Sequence, residues 1–165
     1  DRVKMKFSKR KPNRIPRYDY STPGEYFITI CTVNRRKIFW NVVGASIARP
    51  NYEYLNADGR TVERLIKEIP EKYPVVNVDS YAVMPNHVHM LLRINCDENG
   101  RPMVAPTIST VVQQFKGRAT KLIGHGLWQK SYYDHVVRDD ADYKEIWEYI
   151  ESNPSKWIED ELYDE

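Results

Sequence analysis

Cysteine is scarce in this chain, and two larger signals are missing altogether. Only Cys31 and Cys96 are cysteines among 165 residues, and they do not have the spacing of metal ligands. A disulfide framework is therefore not indicated, and two reduced, buried thiols are the simplest interpretation. No apolar run approaches the ~20 residues that span a bilayer, and no secretory signal pattern is present. These absences predict a cytoplasmic protein that does not enter membranes.

Charge is distributed unevenly, although the formal net charge is only +2. Residues 1–17 carry eight basic groups and one acidic group, a net of +7, whereas residues 139–165 carry eleven acidic groups and two lysines, a net of −9. Pro12 and Pro16 favour an extended backbone in the basic segment. We therefore predict a basic arm over residues 1–19 that contacts phosphate backbones, although a merely solvated terminus fits the same composition.

Length and hydrophobic pattern predict one α+β domain over residues 20–165. A turn is expected at Asp58-Gly59, a short strand near 52–55, and a short amphipathic segment over 155–163. From their apolar periodicity, strands are predicted over 25–33, 75–83, 87–94 and 132–137, and helices over 61–72, 107–123 and 140–152. This order is the βαββαβ pattern of a ferredoxin-like fold, in which helices cover one face of an antiparallel sheet, and an additional C-terminal helix follows.

Two of the four histidines lie on one predicted strand, two positions apart. Side chains at that spacing point to the same face, so His87 and His89 present two imidazoles side by side. Val88, Met90, Leu92 and Ile94 then form the opposite, buried face. Neutral imidazole is a common ligand of divalent metals, so the pair is a candidate metal site. A His-x-His motif is short, and two solvent-facing histidines on a half-buried strand would give the same pattern.

The predicted C-terminal helix places a tyrosine and an amide one turn apart. Its apolar stripe, expected to pack on the domain, comprises Tyr143, Ile146, Trp147 and Ile150. Tyr149 lies at the edge of this stripe, and Asn153 follows four residues later on the same edge. Tyrosine is abundant, with twelve residues, so from periodicity alone an ordinary half-buried aromatic is a better interpretation of Tyr149 than a catalytic residue.

Several short motifs in a fixed order give a more specific indication. The chain resembles the single-tyrosine HUH transposases, in particular the REP-associated tyrosine transposases of bacteria, over about residues 20–158. The matching segments are Gly24–Thr32, Val83–Leu91, Gln114-Phe115-Lys116, Trp128–Arg138, Asp142-Tyr143, Tyr149–Pro154 and Trp157. Each segment is short, and their common order makes the resemblance specific.

The resemblance implies a metal-dependent endonuclease and strand transferase that acts on single-stranded or hairpin DNA. It implies that His87, His89 and Asn153 bind a divalent cation, Mg²⁺ or Mn²⁺. Tyr149 would be the nucleophile, and the product would be a 5′-phosphotyrosine. Such a protein is expected to work at the bacterial nucleoid. Whether it is a monomer or a homodimer, and whether Tyr149 serves its own metal site or a partner's, stays open.

Further candidates surround this core. Gln114 and His135 are possible neighbours of the site. Expected DNA contacts are Arg10, Lys11, Arg14, Arg17, Arg35, Arg36, Lys37, Lys116, Arg118 and Lys121. Two other classes fit the sequence less well. One is a catalytically silent module that binds single-stranded nucleic acid on the same fold, and the other is a zinc hydrolase that uses His87, His89 and His135.

Overall fold

Four strands form one antiparallel sheet in the computed structural model of the chain, which describes residues 14–41 and 54–159, without the side chains of 158 and 159. The strands are β1 (Gly24–Cys31), β2 (Val76–Val83), β3 (His87–Ile94) and β4 (Tyr133–Val136). Their order across the sheet is β2-β3-β1-β4, so β1 and β3 are the two central strands. This is the strand order of a ferredoxin-like domain, and the predicted fold class is confirmed.

Helices cover both faces of the sheet. The helices are α1 (Ala57–Lys67), α2 (Ile69–Lys72), α3 (Ile108–Ile123) and α4 (Asp140–Ser152), and 3₁₀ turns span Val33–Arg35 and Pro154–Glu159. Helices α1 and α3 pack against each other on one side, whereas α4 contacts β2 and β3. None of the helices in the described ranges is long and apolar enough to cross a membrane.

Local sequence signals set the ends of two helices as predicted. The side chain of Thr107 accepts a hydrogen bond from the Thr110 backbone N–H and begins α3, and Gly124 ends that helix with a left-handed φ of 92°. The side chain of Asp139 accepts a bond from the Asp142 N–H at 2.8 Å and begins α4. This cap fixes the residue at which α4 starts, and so helps to set the position of Tyr149, which α4 carries.

The first helix begins at Ala57, four residues before the predicted start at 61. The predicted turn at Asp58-Gly59 is therefore wrong. Asn56 accepts a hydrogen bond from the Gly59 N–H at 2.8 Å, so it caps α1 and places that dipeptide inside the first helical turn. At the other end, Pro70 lies in the first turn of α2, which interrupts the predicted continuous helix at Glu68.

Other expectations fall partly outside the described residues. Residues 1–13 of the predicted arm, and positions 52 and 53 of the predicted short strand, are not described. At position 55, Leu55 forms an isolated bridge with Trp40. The predicted segment 155–163 is described only to Glu159, as a 3₁₀ turn.

The apolar stripe of α4 differs from the predicted one at Trp147. This side chain is 42% exposed, because the helix turns Asp142, Ile146 and Ile150 towards the sheet. Tyr149 is half-buried. The prediction that Trp147 packs on the domain is therefore wrong. The same orientation of α4 places Tyr149 over the sheet, where its ring meets Phe27.

The close approach of α1 to Phe39 gives a test of this packing. A Cβ at Gly59 would lie 2.2 Å from the Phe39 carbonyl oxygen, so Gly59→Ala should reduce the free energy of unfolding by about 1–3 kcal/mol. Gly117→Ala is the matched control, since a Cβ there meets nothing within 4 Å and alanine stabilises a helix by roughly 0.5–1 kcal/mol. Urea unfolding of both variants measures the difference, and equal effects would contradict the predicted clash.

Candidate functional site

His87 and His89 lie side by side at the centre of the sheet, and both are completely buried. Their relative exposures are 0%, their Nε2 atoms are 3.0 Å apart and their ring centroids are 4.5 Å apart. The alternative of two solvent-facing histidines is therefore wrong. Both faces of β3 are covered, since Val88 and Met90 on the opposite face are buried as well.

Neighbouring polar side chains bind the outer nitrogen of each imidazole. His87 Nδ1 hydrogen bonds with Asn86 Oδ1 at 2.7 Å. His89 Nδ1 and Thr29 Oγ1 share a hydrogen bond of 2.9 Å, because Thr29 and His89 are directly paired across β1 and β3. With both Nδ1 atoms engaged in this way, the two Nε2 atoms converge.

The end of α4 and the turn after it form a roof over the histidine pair. The Tyr149 ring lies 5.3 Å from the His89 ring and 6.3 Å from the Phe27 ring, which it meets edge-on. The Trp157 ring lies 6.0 Å from the His87 ring. Asn153 stands in the chain between these two aromatics and is 3% exposed. The structure thus brings Tyr149 and the histidine pair together in one chain.

The donors at this site fit a divalent cation. Neighbouring ligands of an octahedral Mg²⁺, each about 2.1 Å from the ion, are about 3.0 Å apart, and the two Nε2 atoms have this separation. Asn153 Nδ2 is buried without a hydrogen-bond partner among the described residues, so this end of the amide is not held by a hydrogen bond there, and the amide oxygen is the atom that would bind a cation. Within that same part of the chain, no group of three or more His, Cys, Asp or Glu side chains could hold a metal.

His135 serves a different purpose from the histidine pair. Its Nε2 is 2.8 Å from Asp142 Oδ2, and the Arg138 N–H donates to the same oxygen at 3.0 Å. Burial opposes ionisation of Asp142, but these hydrogen bonds outweigh it and lower its pKa. His135 therefore fastens the start of α4 to β4, and nothing supports a zinc site built from His87, His89 and His135.

The candidates on α3 do not approach the histidines. Gln114 is exposed and accepts a hydrogen bond from the hydroxyl of Tyr73, at the end of α2. Arg118 pairs with Glu68 at 2.9 Å. The Lys116 ammonium donates to the Gln129 carbonyl at 2.7 Å, and burial lowers its pKa. These side chains hold α3 to its neighbours, and their predicted contacts with DNA stay predictions.

The remaining basic candidates that the structure describes lie at three places on the surface. Arg35 and Arg36 are exposed where β1 ends, and the next segment is joined to the turn before His87 by the Ile38 N–H, which donates to the Pro85 carbonyl. Arg14 donates to Tyr132 Oη at 2.6 Å and lies over that ring. Exposed Arg17, Lys37 and Lys121 complete the described set, and Arg10 and Lys11 lie outside it.

Sequence reasoning assigned no role to four residues that shape the site, Thr29, Asn86, Asp142 and Trp157, although all four lie in the segments that match the family. The position of Asn86 directly before His87 is a signal in itself. Thr29 is the polar residue within an apolar strand, which could have marked it. Asp142 contacts His135, seven residues earlier on β4, and Trp157 contacts His87 in a distant segment; helical or strand periodicity reveals neither contact.

Comparison with known proteins agrees with these observations. The profile of the family described as "Transposase IS200 like" matches residues 22–153, which include His87, His89, Tyr149 and Asn153. A Haemophilus influenzae (strain Rd) protein of uncharacterized function is 31% identical over 173 residues, covering 93% of each chain. A second protein of that strain, provisionally named REP-associated tyrosine transposase, is 25% identical over 148 residues, covering 85% of this chain and 75% of its own.

The same fold is found in a solved structure. The REP-associated tyrosine transposase bound to a REP hairpin superimposes with a TM-score of 0.60 at 19% identity, over 87% of this chain and 73% of that one. The resemblance inferred from the motifs is thus confirmed. Because the family profile extends over most of the sequence, the chain belongs to the IS200-like transposases.

Proposed function

We propose that this transposase is a metal-dependent endonuclease and strand transferase for single-stranded DNA, acting through a 5′-phosphotyrosine. The observation that carries the proposal is the contact between Tyr149 and His89, whose rings are 5.3 Å apart. A tyrosine hydroxyl is a weak nucleophile at neutral pH and needs an activated phosphate. A cation held by the converging imidazole nitrogens would activate a phosphate directly beside the Tyr149 phenol.

In the proposed reaction, Tyr149 Oη attacks the phosphorus of a backbone phosphodiester. A phenol O–P bond forms, the P–O3′ bond breaks, and the 3′ oxygen leaves as a hydroxyl after taking a proton from water. The phenolic proton passes to solvent. The phosphotyrosine conserves the energy of the broken ester, so attack by another 3′-hydroxyl rejoins a strand and releases Tyr149 unchanged.

The nitrogens of His87 and His89, together with the amide oxygen of Asn153, would hold the cation. When bound, Mg²⁺ or Mn²⁺ supplies charge stabilisation at the non-bridging phosphate oxygens. Phe27 and Trp157 contact the rings of this group, so they exclude water from it and strengthen its electrostatic interactions. Because Tyr149 contacts His89 of its own chain, we propose that one chain supplies both halves of the site and that a monomer suffices.

For the substrate we propose DNA that forms a hairpin, since the structural relative is described in complex with a REP hairpin. The exposed turn with Arg35, Arg36 and Lys37 follows β1. It lies at the end of the sheet where His87 is found, because Cys31, the last residue of β1, pairs with His87. Basic side chains at this place can bind phosphates next to the scissile one. The acidic side chains on the surface of α4 would repel the DNA from that helix.

The nucleophile is tested with Tyr149→Phe, which removes one hydroxyl and keeps the ring on His89. Cleavage of a labelled single-stranded hairpin with Mn²⁺ should fall on the order of 10³-fold or more, and the covalent adduct should disappear, since no other group replaces the nucleophile. Tyr143→Phe is the matched control on the same helix, because its hydroxyl donates to Asp79 at 2.9 Å. Undiminished adduct formation by Tyr149→Phe would mean that another residue attacks.

The metal site is tested with His87→Ala and His89→Ala. Metal-dependent cleavage should be lost in both variants, because each removes one converging nitrogen. Since both imidazoles are fully buried, each change should also cost about 1–3 kcal/mol of stability by leaving a buried partner unsatisfied. Metal affinity measured on folded variants separates the two effects. Unchanged affinity, or DNA binding without any metal-dependent cleavage in the wild type, would favour the catalytically silent module.

The basic arm is tested by deleting residues 1–13, which removes six basic groups and Asp1, a net of +5. Arg14 is kept, because it also donates to Ser109 at 3.0 Å. DNA affinity should fall, and its logarithmic dependence on salt should become shallower by up to ~0.7 per lost phosphate contact. Cleavage at saturating DNA should persist. An unchanged salt slope would show that these residues do not contact DNA.

A further inference from the structure

The two imidazoles of the site are held by two side chains that no other part of the mechanism uses. We infer that Asn86 and Thr29 are positioning residues for the cation, and that the Thr29 hydroxyl reverses its hydrogen bond to His89 when a cation binds. The inference rests on the proposed metal site. It concerns which ring nitrogen carries the proton in neutral imidazole, a choice that decides whether Nε2 can act as a ligand.

Asn86 fixes His87 in one tautomer. Its Oδ1 is 2.7 Å from His87 Nδ1, and an amide oxygen can only accept a hydrogen bond. His87 therefore carries its proton on Nδ1 and presents a lone pair on Nε2. Asn86 is 1% exposed, so water does not compete for this bond. The arrangement is the same whether a cation is present or absent.

Thr29 leaves His89 two choices. A hydroxyl both donates and accepts, so the 2.9 Å bond between Thr29 Oγ1 and His89 Nδ1 is compatible with either tautomer. His87 Nε2 decides between them in the metal-free protein. It lies 3.0 Å from His89 Nε2 and carries a lone pair, so two facing lone pairs are avoided only when His89 carries its proton on Nε2.

A continuous chain of hydrogen bonds follows for the metal-free site. Thr29 donates to His89 Nδ1, His89 Nε2 donates to His87 Nε2, and His87 Nδ1 donates to Asn86 Oδ1. Each of the four side chains is at most 3% exposed, and each polar contact in the chain is satisfied without water.

Cation binding requires a different proton position on His89 only, and with it a reversed hydrogen bond between His89 and Thr29. His89 must free its Nε2 lone pair, so its proton moves to Nδ1 and Thr29 becomes the acceptor. Without the hydroxyl, that Nδ1–H would be buried and unpaired, which is costly. Thr29 therefore stabilises both states, whereas Asn86 stabilises the His87 tautomer that both states share.

The first experiment measures Mn²⁺ affinity by electron paramagnetic resonance on folded protein without DNA. Thr29→Val keeps the β-branched shape and removes the hydroxyl, so its affinity should fall about 10- to 100-fold. Thr29→Ser should restore most of the affinity. Asn86→Leu should weaken binding to a similar extent, and Asn86→Asp, which keeps an acceptor oxygen, should not.

The second experiment reads the tautomers directly from two-bond ¹H–¹⁵N correlation spectra of neutral histidines in the wild type. His89 should carry its proton on Nε2 without metal and on Nδ1 after addition of Mg²⁺, while His87 keeps its proton on Nδ1. A His89 proton that stays on one nitrogen overturns the reversal. Equal Mn²⁺ affinity of Thr29→Val and wild type overturns the role of Thr29 alone, whereas no Mn²⁺ binding by the wild type overturns the proposed metal site as well.

Discussion

The pairing of β1 with β3 at the centre of the sheet is the constraint on which the site depends. It sets Thr29 opposite His89 and Cys31 opposite His87, so the histidines lie on a central strand of the four-stranded sheet. A shift of the register by one residue would turn both imidazoles to the α1–α3 side, because side chains alternate along a strand. The apolar residues on the other face of β3 prevent such a shift, since Val88, Met90 and Leu92 fill the core on the α1–α3 side.

The second requirement is a fixed position for α4. The helix starts at the Asp139 cap, and the bond between His135 and Asp142 joins its first turn to β4. At its other end, Glu151 accepts from the Ser80 hydroxyl of β2 at 2.7 Å. With both ends held on opposite edges of the sheet, Tyr149 is carried across the central strands. Polar contacts at the ends thus orient the helix, and apolar burial of Ile146 and Ile150 supplies the attraction.

Much of the fold, and the placing of the site residues in pairs, could be predicted from local patterns, whereas the roles of these residues came from the family resemblance and stay predictions. Strand alternation paired His87 with His89, and helical spacing paired Tyr149 with Asn153. The turn at Asp58-Gly59 failed because glycine there serves a close approach to Phe39, which depends on a distant segment. The prediction for Trp147 failed because α4 turns Asp142, Ile146 and Ile150 towards the sheet, and a polar residue such as Asp142 does not stand out as part of a buried stripe. The contributions of Thr29 and Trp157 arise from contacts between segments far apart in the chain, and no single-segment periodicity contains them.

Complete burial of the histidine pair has a consequence for the timing of events at the site. With no exposed area on either imidazole, a cation or a phosphate oxygen reaches Nε2 only while the roof of Tyr149 and Trp157 is displaced. Binding and release of the cation then both require local opening of the α4 end. Exchange of a bound cation with solvent would therefore depend on how firmly the end of α4 packs on the sheet.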